Sequence, residues 1–314
     1  MQKVLITGVG GFCASHLVTR LRKTESVFIC GTDISKVKPV NVPLDSYRQV
    51  DITDPGQVIE LVQQFQPDWI FHLAGLVGNA NVADIYHVNV SGTINLLDAY
   101  CRFAPEASML LVGSAAEYGP VTSDLLPVTE EQACNPMGTY GISKYAVTMA
   151  GLDFAHRYNK KIVIARPFNI IGAGISSNLV LGAVLERIKQ ALANPGAPVI
   201  KIGNVASARD FIAVEDVVEA YVQLIKGDYW GEIFNICSGQ PQTIREMLDK
   251  LVRNSPLPIT FETDQELYKA TDPPSFYGSN EKARRAFCFN PHVNINTALI
   301  SAWDHTMKEV DNCV

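Results

Sequence analysis

The chain has 314 residues, a formal charge of −6, 47% hydrophobic residues and 18% charged ones. That length supports a substantial core in one large domain or two, and the composition is that of an ordinary globular protein. The acidic balance offers no basic field for nucleic acid, no Lys/Arg cluster marks a membrane surface, and no run approaches the ~20 apolar residues of a membrane span.

Seven cysteines (Cys13, Cys30, Cys101, Cys134, Cys237, Cys288, Cys313) are scattered, odd in number and without a Cys-x-x-Cys pair. That argues against a disulfide framework and against a structural zinc site. The six histidines show no metal spacing either, so no metal is expected. Met1-Gln2-Lys3 runs straight into Val4-Leu5-Ile6, too short an apolar stretch for a signal peptide, and a cytoplasmic protein is expected.

Through residue 166 short apolar β-rich runs alternate with helical segments. Strands are predicted at Lys3–Thr7, Val27–Thr32, Tyr47–Val50, Trp69–Leu73, Ser108–Gly113 and Ile162–Arg166, with helices at Phe12–Lys23, Gly56–Gln64, Ile85–Phe103 and Ser143–Tyr158. Continuous apolar strands separated by helices predict an α/β fold, a doubly wound parallel sheet of Rossmann type. After Arg166 the rhythm changes. A Gly/Asn/Ser loop is followed by helices at Asn178–Ala193, Val214–Lys226 and Ile244–Arg253, and strands at Val199–Ile202 and Glu232–Cys237; Pro256 to Ser279 is expected to be irregular. The predicted plan is a cofactor-binding domain over 1–166, to which parts of 204–237 return, and a smaller α/β substrate lobe over 167–314.

Thr7-Gly8-Val9-Gly10-Gly11-Phe12-Cys13-Ala14 follows the first strand and opens the first helix. Such a turn leaves free N–H groups at a helix N-terminus, where a pyrophosphate is favoured by hydrogen bonds and dipole together. Gly8, Gly10 and Gly11 give the close approach, and Phe12 and Cys13 carry the loop into the helix. Asp33 closes the second strand, 25 residues after Gly8. A carboxylate there suits both adenosine ribose hydroxyls and repels a 2′-phosphate, which favours NAD over NADP. Asp51-Ile52 is positioned to meet the adenine, and Leu73-Ala74-Gly75 offers a small-residue floor.

Tyr140 and Lys144 are four apart in a helical pattern, so their side chains share one face. A phenol near pKa ~10 is a poor acid or base at neutral pH, and an adjacent ammonium stabilises the phenolate and lowers that value. Ser114, 26 residues upstream, is delivered by a buried strand to the same sheet edge, where its hydroxyl can hold the oxygen that Tyr140 protonates. Ser114, Tyr140 and Lys144 are the predicted catalytic residues. In the second half, Asn178-Leu179 opens a helix after a Gly/Ser loop, a good anion site, and Arg209 carries forked donors suited to phosphate. Leu76-Val77-Gly78-Asn79 is expected to line a sugar pocket, and Asn169 to cap a loop or touch substrate.

Thr-Gly-x-x-Gly-Phe, His72-Leu73-Ala74, Asn89-Val90-x-Gly92-Thr93, Tyr118-Gly119, Tyr-x-x-x-Lys and Arg166-Pro167-Phe168-Asn169 together resemble the extended short-chain dehydrogenase/reductase family acting on nucleotide-sugars, over nearly the whole chain. Within it, Val112-Gly113-Ser114-Ala115-Ala116-Glu117-Tyr118-Gly119, Lys201-Ile202-Gly203-Asn204 through Arg209-Asp210-Phe211, and Asn235-Ile236-Cys237-Ser238-Gly239 are most similar to the GDP-4-keto-6-deoxymannose reductases. The resemblance implies an NAD(P)-dependent enzyme, a nucleotide-diphosphate-sugar substrate, hydride transfer at sugar C4, and a homodimer through helices near 85–103 and 143–158. It adds Asn89, Val112 and Pro167 to the cofactor side, and Ala115, Ala116, Glu117, Lys201 and Lys269 to the substrate side.

Two departures narrow the chemistry. Related 4,6-dehydratases carry a proton-transferring carboxylate one or two residues after the serine, where this chain has Ala115 and Ala116, so elimination is disfavoured. Glu117, one residue on, points away if the segment is extended, although a shifted register would rescue it. Asp33 fits enzymes that retain NAD, such as 4-epimerases, whereas net reductases of this group often use NADPH. A reductase leads, a 4-epimerase is the alternative, and a non-catalytic NAD(H) sensor of the same fold is the reading from another class.

Overall fold

The computed structural model describes residues 1–39, 42–78, 80–192, 199–253, 255, 258–267 and 273–311. Gln2–Thr7 (β1) leads into Phe12–Thr24 (α1), Val27–Asp33 (β2), Ser46–Gln49 (β3), Pro55–Phe65 (α2), Trp69–His72 (β4), Val82–Tyr86 (α3), Gly92–Phe103 (α4) and Ser108–Val112 (β5). Gly138–Arg157 (α5), Ile162–Pro167 (β6), Asn169–Ile171 (β7), Val180–Leu192 (α6), Val199–Ile202 (β8), Ala208–Ala213 (β9), Val214–Lys226 (α7) and Ile233–Ile236 (β10) follow. The chain continues through Pro241–Thr243 (β11), Ile244–Val252 (α8), Thr260–Thr263 (β12), Ser275–Phe276 (β13), Glu281–Phe287 (α9) and Ile295–Asp311 (α10).

Seven strands form one parallel sheet in the order β3-β2-β1-β4-β5-β6-β10. The winding reverses between β1 and β4, which opens a crevice at their carboxyl ends, the place where open α/β sheets take ligands. β4 and β6 are buried along their whole length because helices cover both faces. On one face α1 and α7 bury Leu17, Val18 and Leu21 with Val217 and Tyr221; on the other, α2, α4 and α5 bury Leu61, Leu97, Tyr100 and Ala155. α2 starts with Pro55 behind Asp54, whose carboxylate accepts from the Gly56 and Gln57 N–H groups, so the helix begins one residue before its expected start.

The smaller lobe is organised on β9, which pairs with β11, β13 and β7, and on the β8–β12 pair. α6, α8 and α10 close a separate core there around Leu185, Met247 and Trp303. β12 and β13 fall in the stretch expected to be irregular. Each pairs with a strand far away in sequence, so no local pattern announces it. Among the described residues no helix is long and apolar enough to cross a membrane.

The helix expected over 85–103 is interrupted. Residues His87–Ser91 form a single π turn between α3 and α4. The Thr93 hydroxyl donates to the Asn89 carbonyl inside this widened turn, and the Asn89 side chain is turned inward, 1% exposed. The other expected long helix starts earlier than predicted: α5 begins at Gly138, so Tyr140 lies inside its first turn rather than ahead of it.

Candidate active site

The glycine loop lies at the mouth of the crevice. Gly8 has φ +66°, and a Cβ there would sit 2.6 Å from the Cα of Ala74, so only glycine lets this turn press against the end of β4. Gly11 is the N-cap of α1 with no side chain capping it, which leaves the first N–H groups of the helix available to an anion. The Asp33 carboxylate accepts from the Gly10 N–H at 3.0 Å, so the loop and the acidic end of β2 share one edge. Asp51 folds its Oδ1 onto the N–H and hydroxyl of Thr53, and Ile52 is buried beneath the start of α4. A bare loop at a helix N-terminus beside a carboxylate fits a dinucleotide: pyrophosphate on the loop, adenosine ribose on Asp33.

A buried hydrogen-bond chain fixes the floor of this crevice. Thr93 donates to a carbonyl, so it accepts from His72 Nε2–H at 2.9 Å. His72 Nδ1 then accepts from the Thr7 hydroxyl at 2.7 Å, and Thr7 accepts from the Ala74 N–H at 3.3 Å. Burial holds the imidazole neutral, its pKa pushed down to about 3, which this fixed tautomer requires. His72 thus ties the glycine loop, the Leu73-Ala74-Gly75 segment and the π turn together. Asn89 also serves this scaffold: its amide bonds the Leu76 N–H and carbonyl and the Ser143 hydroxyl. Within the chain Asn89 thereby positions Leu76 and α5.

Ser114, Tyr140 and Lys144 do converge. The Ser114 and Tyr140 hydroxyls face one another, and Lys144 donates to the carbonyl of Val112 at 2.7 Å, its ammonium beside Gly75. Gly141 makes the close approach possible, because a Cβ there would lie 2.7 Å from the carbonyl oxygen of Ala116. Cys13, at the start of α1, faces Tyr140 and carries a thiol pushed up to about 12 by burial. Pro167 is buried at the end of β6, and Phe12 packs edge-on against His16.

The electrostatics depart from expectation. Burial pushes the Tyr140 phenol up to about 12, the Ser114 hydroxyl pulls it back, and Glu117 and Cys13 raise it further. Lys144 is 8% exposed, and burial pushes its ammonium down to about 8. The predicted lowering of the phenol by Lys144 is absent: the ammonium is turned to Val112, and the charge that acts on the phenol is that of Glu117, which raises it. The site in this state holds a protonated tyrosine.

The turn after β5 is not extended. Residues 115–118 form a 3-10 turn with Ser114 as its N-cap, which buries Glu117 completely. Glu117 Oε1 accepts from the Ser114 N–H at 2.7 Å and Oε2 accepts from Arg166 Nε at 2.8 Å. Glu117 is therefore removed from the substrate-lining set, and a register shift that would bring it to a sugar hydroxyl is ruled out by this ion pair. Ala115 is 6% exposed and packs with Tyr118, Val128 and Phe168, away from the mouth, whereas Ala116 stays exposed beside Ser114. The signal for this arrangement is in the sequence: Ser114-x-x-Glu117 is a capping-box pattern.

On the substrate side the structure joins two expected segments. Gly78 (φ +83°) lies against Asn178, whose Cβ would be 2.9 Å from an added Cβ at Gly78. Val77 is half-buried next to it, and Leu179 donates to the Ser176 carbonyl in the turn that enters α6. Asn169 is exposed and donates to the Asp210 carbonyl at 2.7 Å. Arg209 donates through Nη1 to the carbonyls of Ala208 and Pro273, while Asp210 binds Ser238, Gly239 and Gly278. Lys201 lies on the exposed edge of β8, ion-paired with Asp264 at 3.4 Å. Lys269 lies outside the described residues. Among the described residues no His/Cys/Asp/Glu cluster could hold a metal.

Comparison with known proteins follows the same lines. The profile of the NAD dependent epimerase/dehydratase family matches residues 4–237. GDP-6-deoxy-D-mannose reductase of Pseudomonas aeruginosa is 27% identical over 98% of this chain and 99% of that protein. UDP-glucose 4-epimerase of Rhizobium leguminosarum bv. trifolii is 26% identical over 98% of both. The solved structure of RMD from Pseudomonas aeruginosa complexed with NADPH superposes with a TM-score of 0.84 at 26% identity, covering 98% of each chain.

Proposed function

The chain belongs to the NAD dependent epimerase/dehydratase family, and from that premise we propose that it is a nucleotide-diphosphate-sugar oxidoreductase, a 4-keto-6-deoxyhexose reductase of the GDP-6-deoxymannose type. The observation that carries this reading is the hydroxyl pair of Ser114 and Tyr140 beside Lys144 at the mouth of the crevice, with the phenol protonated. A bound nicotinamide supplies the hydride for C4. Ser114 donates to the sugar's carbonyl oxygen, and Tyr140 gives that oxygen its proton as charge builds on it. Lys144 would hold the nicotinamide ribose, its ammonium fixed beside Gly75 by the Val112 carbonyl. Asn178, Leu179 and Arg209, with Lys201 and Lys269, form the pyrophosphate side of this reading, and Val77, Gly78, Ala116 and Asn169 the sugar side. In this division 1–166 binds the cofactor and 167–314 mainly the substrate. A homodimer through α4 and α5 is part of the proposal, supported by Ile94, Ile142 and Met149, which are 44%, 41% and 47% exposed on these neighbouring helices. The scattered free cysteines support a cytoplasmic setting.

Epimerisation is the second reading, and Asp33 favours it, since an enzyme that keeps NAD gains from a carboxylate on the ribose. Dehydration is disfavoured by the methyl groups of Ala115 and Ala116. A panel of nucleotide-diphosphate sugars incubated with NADH or NADPH tests the choice. Stoichiometric cofactor oxidation with a 4-keto-6-deoxy sugar is expected; interconversion of sugars without consumption would replace the reductase by the epimerase. Turnover of none would leave the sensor.

Cofactor preference gives a separate prediction. The Asp33 carboxylate repels a 2′-phosphate, so NADH is expected to bind about tenfold tighter than NADPH. Asp33→Ser is expected to remove that ratio in fluorescence titrations. Equal affinities in the wild-type protein would contradict the role given to Asp33.

A further inference from the structure

Beneath Ser114 lies a charged pair that the chemistry above does not use. Glu117 and Arg166 are 0% and 2% exposed, and their side chains meet at 2.8 Å. Each charge in such a place needs its partner, because an unpaired buried charge is strongly destabilising. An apolar pair of similar volume usually packs at least as well there, so stability alone gives no reason for the ions.

The contacts of Glu117 point upward to the site. One oxygen accepts from the Ser114 N–H and the other from Arg166, and the buried Thr148 hydroxyl of α5 lies beside the Gly113 backbone. The fit is tight: a Cβ on Gly113 would lie 2.3 Å from Glu117 Oε1. Arg166 is held in turn over the Tyr118 ring at 4.9 Å, and Tyr118 is anchored through its hydroxyl to Asn235 at 2.7 Å. The turn bearing Ser114 is thereby bolted to β6 and β10.

We propose that Glu117, held in the core by Arg166, is the positioning residue of the Ser114–Tyr140 pair, fixing the Ser114 backbone and placing its carboxylate behind the proton donor. This rests on the reading of Tyr140 as the acid. The groups facing Tyr140 are Ser114 and Glu117 from the 3-10 turn, Cys13 from α1, Tyr221 from α7 and Lys144 on its own helix. Facing Glu117 are Arg166 from β6, Thr148 and Lys144 from α5, and Cys134. Glu117 raises both Tyr140 and Lys144, so it keeps the phenol protonated and the ammonium charged. Removing its charge lowers the Tyr140 pKa, and the alkaline limb of sugar reduction, set by loss of the acid's proton, moves to lower pH.

The experiment uses Glu117→Gln, which keeps an acceptor for the Ser114 N–H but loses the charge. Because Arg166 then lacks its partner, the double variant Glu117→Gln/Arg166→Met is made in parallel and decides the matter if the single variant does not fold. Tyr140 is followed in NAD-saturated protein by the resonance of ring-carbon-labelled tyrosine, assigned by its loss in Tyr140→Phe. Its midpoint is expected to fall by about one pH unit, the size of a unit charge acting through an effective dielectric of about 20. The alkaline limb of kcat moves with it, and kcat falls about tenfold while KM for the cofactor stays within about twofold. A folded variant whose Tyr140 midpoint matches wild type overturns the role of Glu117. A wild-type protein that binds no dinucleotide instead overturns the proposed function, a failure distinguishable from the first.

Discussion

Tyr140→Phe is expected to lower kcat by about 10³-fold while leaving cofactor affinity within about threefold of wild type. The substitution removes one oxygen and keeps the ring, so the packing of α5 against the 114–118 turn survives. What disappears is the proton donor that faces the Ser114 hydroxyl. General acid catalysis accounts for roughly 10²–10⁴ in rate, and the loss should sit near the middle because Ser114 can still hold the substrate oxygen. The cofactor's anchors (the glycine loop, Asp33 and Lys144) are untouched, since Lys144 is fixed by the Val112 carbonyl rather than by the phenol. Steady-state kinetics beside a fluorescence titration of NADH check the two halves. Turnover equal to wild type would remove Tyr140 from the mechanism, and with it the distinction between an enzyme and a sensor.

The parts of the molecule legible in sequence are those whose causes are local. Strands buried on both faces read as apolar runs because nothing polar can face a helix layer, and β1, β2, β4, β5 and β6 fall within a residue of their predicted ends. The glycine loop and Tyr140/Lys144 were readable because turn chemistry and helical spacing fix them. The π turn at His87–Ser91 was not, since it depends on Asn89 reaching Leu76 and Ser143 across the fold. β12 and β13 depend on partners far along the chain in the same way. The charge state of Tyr140 failed for a different reason. Spacing puts Lys144 on the right face but says nothing about where its long stem delivers the ammonium, and Val112 takes it. Glu117 is the instructive case: an extended segment points it away and a shifted register returns it to the substrate, whereas the 3-10 turn, whose capping-box signature is in the sequence, buries its charge.

Gly8→Ala should be the most damaging single methyl group in the cofactor crevice, and comparison with Gly10→Ala shows why. At Gly8 the backbone is left-handed, φ +66°, where an L side chain costs about 1–2 kcal/mol. The added carbon would also stand 2.6 Å and 2.7 Å from the Cα and N of Ala74, atoms that cannot swing aside as a side chain would. Either the loop or the end of β4 must shift, and with it the Ala74 N–H to Thr7 hydrogen bond and the His72 chain behind it. We expect a stability loss of about 2–3 kcal/mol in urea unfolding, within the range for strain at a special backbone position, and cofactor affinity lower by about 100-fold. At Gly10 the backbone is unstrained, and an added carbon meets side chains alone, the Asp33 carboxylate at 3.1 Å and Pro39 Cγ at 4.0 Å. Gly10→Ala should therefore change stability by less than about 0.5 kcal/mol. It should still weaken the dinucleotide about tenfold, because the loop can no longer be approached closely and the ribose-binding carboxylate is displaced. Equal stability losses in the two variants would mean that the loop is held by something other than its contact with Ala74. Unchanged cofactor binding in both would mean that the nucleotide lies elsewhere.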